Sequence, residues 1–285
     1  MIRVRPTEKY DAIIIGSGIG GLTVASLLAQ LGKKRVLVLE QHFKLGGYTH
    51  SFRRGDFEWD VGLHYVGEMH ANKLSRRVMD LVTRKEVLWH RCGPIVERYY
   101  FPEGQFQVPD DPGLFQDKLI EAFPQERKAL IRYFRDVRKC QGWIARFFFS
   151  KIMPPILANL LTFPGRKLAE TLTNDYLNRF ESPWLKGILA GQWPDFGTIP
   201  TESAFAYHSA VAGDFFHGSF YPIGGAQEIS KSVEKTVVEA GGACLVNHSV
   251  TEVIIENGKA VGVRAKNKNK EVEFSRRLWF PMPVH

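Results

Sequence analysis

The run Ala12-Ile13-Ile14-Ile15-Gly16-Ser17-Gly18-Ile19-Gly20-Gly21 passes from an Ile-rich apolar segment into a cluster of glycines. A short apolar run closed by a glycine turn predicts a buried strand over 10–15. Gly16, Gly18 and Gly21 fit the pattern G-x-G-x-x-G. A helix is predicted over 19–31, with Leu22, Ala25, Ser26 and Ala29 as a small apolar face and Gly32 as its stop. Residues 35–39 read as a second strand, closed by Glu40. Each residue type has a reason. Gly16 permits the strand-to-helix turn, Gly18 lets a pyrophosphate approach the backbone, and Gly21 lets the helix pack on the strand. The helix start offers unpaired N–H groups and a partial positive charge to phosphate. Glu40 stands where a carboxylate accepts hydrogen bonds from a ribose diol and repels a 2′-phosphate. Strand, turn, helix and acid together are the context that the motif requires. A dinucleotide is the expected ligand, in an α/β fold of Rossmann-like type.

The chain has 285 residues, enough for about two domains. Hydrophobic residues at 44% and charged residues at 24% exclude a largely disordered chain and a bundle of membrane spans. The net charge of +8 suits nucleic acid, anionic lipid or a phosphate-bearing cofactor equally. No nucleic-acid module is recognisable and the basic residues read as dispersed, so nucleic acid is not an expected partner. Cys92, Cys140 and Cys244 form no C-x-x-C pair and no disulfide framework, which fits a reducing, cytoplasmic setting. No signal peptide and no apolar stretch of about 20 residues is visible.

Past Glu40 comes Gln41-His42-Phe43-Lys44-Leu45-Gly46-Gly47, then Phe57-Glu58-Trp59-Asp60-Val61-Gly62-Leu63-His64-Tyr65. These runs resemble the FAD-dependent phytoene desaturase superfamily, in particular its carotenoid isomerase and retinol saturase branch. The resemblance implies that FAD is the cofactor, with NAD(P) as electron partner. It implies that Gly16, Gly18, Gly20, Gly21, Glu40 and Gln41 hold the ADP half. Gly46 and Gly47 would lie toward the flavin end of the pyrophosphate, and Asp60 and Gly62 beside the ring. Tyr48 stands where many members have Arg.

The resemblance returns at Tyr221-Pro222-Ile223-Gly224-Gly225-Ala226. A helix over 227–240 should end at Gly241-Gly242. A strand over 243–246 and a hairpin about Asn257-Gly258 should follow. By resemblance, the backbone of Val250 pairs with adenine. The family pattern implies an FAD-binding domain over 1–70 and 220–275, split by a mainly helical cap or substrate domain over 71–219. Residues 276–285 depart from that pattern as an atypical tail, as in a truncated chain.

Within the insertion, residues 142–163 are the most apolar, yet hold Arg146, Lys151 and Pro154-Pro155. They suit either a membrane-interface segment, giving peripheral association, or ordinary cap-domain core. No metal motif is present. His64 is the candidate proton donor, against a purely structural role; no other catalytic side chain stands out, as flavin chemistry allows. The expected activity is an FAD-dependent oxidoreductase acting on C=C or C–C bonds of a polyisoprenoid. An amine-oxidase-like flavoenzyme and a non-catalytic FAD-binding fragment are the alternatives.

Overall fold

The computed structural model describes residues 9–268 and 270–275. In chain order they form β1 (Ala12–Ile15), α1 (Ile19–Gln30), β2 (Val36–Leu39), β3 (Ser51–Arg54), β4 (Phe57–Asp60), α2 (Leu74–Val82), β5 (Trp89–Arg91), β6 (Ile95–Phe101) and β7 (Gly104–Pro109). Then come α3 (Pro112–Ala122), α4 (Arg127–Ser150), α5 (Pro155–Thr162), α6 (Arg166–Glu170), α7 (Thr173–Leu177), α8 (Pro183–Ala190), α9 (Trp193–Phe196) and α10 (Phe205–Phe215). The last elements are β8 (Phe220–Pro222), α11 (Gln227–Glu239), β9 (Ala243–Leu245), β10 (Ser249–Glu256), β11 (Lys259–Asn267) and β12 (Lys270–Ser275). The tail expected at 276–285 lies outside the described residues. The described chain falls into two compact units, one of residues 9–64, 70–90 and 221–275, the other of 65–69 and 91–220.

In the first unit, β1, β2 and β9 make a parallel sheet with β2 in the middle. All four residues of β2 are buried, because alternate side chains meet different layers. Val36 and Val38 join Leu22, Ala25 and Ala29 of α1 and Val233 and Val237 of α11. Leu37 and Leu39 join Tyr10, Ala243, Val263, Ala265 and Phe274 on the other face. That second face is covered by the antiparallel sheet β10-β11-β12. Its hairpin turn holds Asn257 and Gly258 at φ 49° and 74°, the left-handed pair that a two-residue loop needs. Helix α11 ends as its sequence predicts, with Gly241 at φ 77° and the Gly242 N–H donating to Val237. At the end of α1 the left-handed residue is Lys33, not Gly32. Gly32 is needed for space, since a Cβ there would stand 2.8 Å from the Leu28 carbonyl.

Residues 71–90, which the family pattern assigns to the insertion, pack in this first unit. Val82 of α2 enters the α1–α11 cluster. Ser26 Oγ donates to its carbonyl, and Ser232 Oγ donates to that of Thr83.

The second unit is built on α4, 24 residues long and so about 36 Å. Pro124 forces Phe123 out of helical geometry and separates α3 from α4; Pro155 starts α5 at a first-turn position. Helix α10 crosses α4 at Gly213, where a Cβ would fall 2.2 Å from the Gln141 side chain. The interior is aromatic: Tyr176 stacks on Phe205 at 3.7 Å and Phe134 on Phe216 at 5.1 Å. The 142–163 stretch divides between the two expected fates. Trp143 is core, whereas Phe148, Phe149, Ile152 and Ile156 are exposed. No helix among the described residues is long and apolar enough to cross a membrane, and none of their acid, thiol and imidazole clusters could hold a metal. All three cysteines are free.

His208 is buried in this core, 2.8 Å from the Tyr133 hydroxyl. Burial pushes its pKa down to about 4 from 6.5. The folded form resists protonation, so His208 costs the fold nothing above pH 6.5 and destabilises it progressively as pH falls toward 4. Urea melts at pH 7 and pH 4.5 should therefore show a pH-dependent loss about 2–3 kcal/mol larger in the native protein than in His208→Gln. Equal losses would remove His208 as an acid-sensitive element.

Candidate functional site

The glycine turn lies in the first unit, between β1 and α1. Gly16 takes φ 89° and its N–H donates to Leu39 O at 2.8 Å, which ties the turn to the tip of β2. A Cβ on Gly21 would stand 2.2 Å from the Gly16 carbonyl, so only glycine lets the helix start this close to the strand. Gly18 and Gly20 differ: a Cβ on either meets nothing within 4 Å. They face open space. Helix α1 has no capping side chain and no carboxylate in its first turn, so its amide end is open to an anion from outside.

The second glycine pair folds onto this turn. Gly46 and Gly47 take φ 120° and 56°, and a Cβ on Gly47 would lie 2.9 Å from Gly18 Cα. Ser17 joins the pieces. It is fully buried. Its N–H and Oγ both donate to Glu40 Oε2, at 2.8 and 2.6 Å, and its Oγ accepts from Gly46 N–H at 3.0 Å. His42 N–H donates to Glu40 Oε1 at 2.8 Å. Burial raises the Glu40 pKa, but the hydrogen bonds from Ser17 and His42 more than offset it, and the carboxyl lies below its ordinary value of 4.5. Glu40 is thus a preformed carboxylate, held against the loop it was expected to serve. Three of its roughly four lone-pair sites are used within the protein.

Asp60 and Gly62 are each tied into the first unit by hydrogen bonds. Asp60 Oδ2 accepts from the Tyr221 hydroxyl, and Oδ1 accepts from Ala226 N–H at 3.2 Å. Its carboxylate thereby anchors the Gly224-Gly225 turn, whose residues take φ 91° and 89°. Gly62 N–H donates to Tyr48 O at 3.0 Å, and a Cβ on Gly62 would strike the Tyr48 side chain at 2.9 Å. Tyr48 itself is exposed. Gln41 is exposed beyond the Glu40 tip, and His64 is exposed. Val250 is half-buried on β10, beside a register shift that sets off its backbone. A separate apolar cleft of about 550 Å³ along β1 and β11 includes none of these residues.

Sequence reasoning missed Ser17 and Gln227. Ser17 is a variable position of the motif, and its signal was only its smallness and its hydroxyl opposite an acid. Gln227 Nε2 donates to Leu45 O at 3.2 Å and its Oε1 accepts from Ser51 N–H at 3.1 Å, which fixes both ends of the segment around Gly46 and Gly47.

A family model described as flavin containing amine oxidoreductase matches residues 19–276. The chain belongs to that family. It is 34% identical to the all-trans-retinol 13,14-reductase of Danio rerio, over 94% of this chain and 46% of that protein. It is 29% identical to prolycopene isomerase 1 of an Oncidium hybrid cultivar, over 93% of this chain and 47% of the relative. The chain thus spans about half the length of the relatives it matches. The fold also matches the cyclohexylamine oxidase of Brevibacterium oxydans with a TM-score of 0.60 at 19% identity, over 94% of this chain and 57% of that one. FAD is the cofactor of the family, and the residues present fit it: an uncapped helix start, glycines facing open space, and a fixed acid at the tip of β2.

Two glycines of one motif should respond in opposite ways. Gly21→Ala should cost about 1–3 kcal/mol in a urea melt, because its Cβ meets backbone. Gly18→Ala, with φ −61° and open space, should stay within about 1 kcal/mol of the native protein. Ser17→Ala should cost about 1–3 kcal/mol at pH 7, since it strips a donor from a buried carboxylate. Glu40 has a lowered folded pKa, so its contribution is present above pH 4.5 and lost as pH falls through the folded value. The Ser17→Ala deficit should shrink over the same range. A deficit that stays constant into acid would show that the hydroxyl acts through something other than Glu40.

Proposed function

We propose that this chain carries the nucleotide-binding part of an FAD-dependent oxidoreductase acting on C=C or C–C bonds of a polyisoprenoid. The observation that carries the reading is the junction of the two glycine turns with Glu40 through Ser17. The printed activities of the relatives near 30% identity, a retinol reductase and a prolycopene isomerase, supply the substrate class. In this reading the first unit is the flavin-binding domain, split in sequence, and the helix-rich second unit is the substrate domain inserted between its segments.

Bound FAD supplies hydride transfer. The protein's task at this end is to hold the dinucleotide. The amide start of α1 binds the pyrophosphate, which Gly18 and Gly20 leave room to approach. The remaining lone pair of Glu40 accepts from a ribose hydroxyl, while Ser17 and His42 keep the carboxylate ionised and aimed. Gly47 packs on Gly18 and keeps side chains out of the phosphate path. An apolar polyene offers few groups to hydrogen-bond, so its binding calls for aromatic and aliphatic walls and for no acid–base constellation. NAD(P) is the electron partner that this reading assigns.

The test is titration of the purified chain with FAD, followed by flavin fluorescence. Gly18→Val should weaken FAD binding at least about tenfold while leaving the melt nearly unchanged, since its side chain meets only the ligand's space. His64→Ala should bind FAD normally. A native chain that ignores FAD, or a Gly18→Val variant that binds it equally, contradicts the flavin reading. With FAD bound, peroxide-releasing turnover of cyclohexylamine in place of conversion of all-trans-retinol would transfer the assignment to an amine oxidase.

A further inference from the structure

The positive charge of this chain is not dispersed as its sequence reading suggests. Residues 127–169 hold ten Lys and Arg and a single acid, Asp136, a net of +9 against +8 for the whole protein. The remaining chain is therefore close to neutral. From residue 137 to residue 169 there is no carboxylate at all. That stretch is the C-terminal half of α4, the turn after it, α5 and the start of α6, all within the second unit.

The same corner carries large apolar side chains on the outside. Ile156, Leu160 and Phe163 follow one another at i, i+4 and i+7, so they form one face of α5 and its last turn. Ile156 is 83% exposed and Phe163 75%. Phe148 and Phe149 at the end of α4, and Ile152 in the turn, extend the surface. A helix that faces water presents polar residues on its outer side; α5 presents the reverse.

The corner is held in shape. Trp143, buried under it, donates from Nε1 to Thr162 O at 2.7 Å, which pins α5 to α4. Trp143 also stacks on Phe147 at 5.2 Å, and Lys151 Nζ sits 4.3 Å from the centre of the Phe147 ring. Arg166 Nη2 donates to Thr162 Oγ1 at 2.8 Å, so a second cation flanks the apolar face. Lys151, Arg166 and Lys167 therefore stand beside the projecting side chains with stems along apolar surface, and Arg166 also forms an ion pair of 3.8 Å with Glu170 at the edge of the patch.

We infer that the α4–α5 corner is a docking surface for an anionic lipid bilayer, with Ile152, Ile156, Leu160 and Phe163 entering the headgroup boundary and the cations meeting lipid phosphate and carboxylate. Charge complementarity decides the occupant. A two-fold dimer through this face would bring together two corners that each carry +6 over residues 137–169. Nucleic acid would use the cations and leave the aliphatic side chains in water. A bilayer of anionic lipid uses both. The inference does not rest on the cofactor or substrate reading, because it concerns only the surface of the second unit.

The experiment is flotation of the purified chain with vesicles of phosphatidylcholine alone, or of phosphatidylcholine with 30% phosphatidylserine as the probe. Native protein should float with the phosphatidylserine vesicles and bind neutral ones about tenfold or more weakly. Half-molar sodium chloride should release it. Ile156→Glu with Leu160→Glu should lower binding at least about tenfold, as should Lys151→Ala with Arg166→Ala and Lys167→Ala. Both sets lie mainly on the surface; the salt and lipid arms use native protein and stand without any variant. Native protein that stays with the soluble fraction overturns the inference, as does undiminished flotation of the Ile156/Leu160 variant. A native dimer that this variant converts to monomer would show that the face serves self-association instead.

Discussion

The nucleotide end of this fold depends on one buried carboxylate that accepts three hydrogen bonds from its own chain. Glu40 sits at the tip of the central strand, whose alternate side chains lock it to layers on both faces. Its position is therefore set by the core before any ligand is considered. Ser17 carries that position into the first glycine turn and, through Gly46 N–H, into the second. Burial alone would favour the protonated acid. The donors reverse this, and the result is a charged group fixed at the tip of β2. The same donors leave it little spare capacity, with about one lone-pair site not used within the protein.

A second junction joins segments far apart in sequence. Asp60 accepts from Tyr221 and from the Ala226 amide, and Gln227 bridges Leu45 and Ser51. Asp60 has both oxygens engaged in shaping the turn before α11. The glycine pair that follows Tyr221 thus serves a tight turn against a carboxylate, in contrast to Gly18 and Gly20, which border open space.

The parts readable from sequence were those in which one residue type has one cause. Glycine spacing announced the turn, Asn257-Gly258 announced the hairpin, and Gly241-Gly242 announced the end of α11, because each fixes local dihedrals. What escaped depends on distant partners. Ser17 is one small residue among many until Glu40 is placed beside it. Helix α2 shows an ordinary amphipathic pattern, and only the contact of Val82 with α1 and α11 assigns it to the first unit. The phenylalanines near residue 147 share one composition yet differ in fate, since Phe147 stacks on Trp143 while Phe148 points outward. The clustering of basic residues was countable from the start, but it acquires meaning only with the exposed apolar face beside it.

The parallel sheet also sets an order of events during synthesis. Its third strand, β9, begins about 200 residues after β2 ends. At about 5–20 residues per second, ribosomes need about 10–40 s to bridge that interval. Throughout it, β2 lacks one of its two neighbours and the α11 covering, and residues 91–220 are completed before that interval ends. The helical unit can thus mature first, and the glycine-loop unit waits with an apolar strand edge uncovered, a state that invites chaperone capture on the nascent chain.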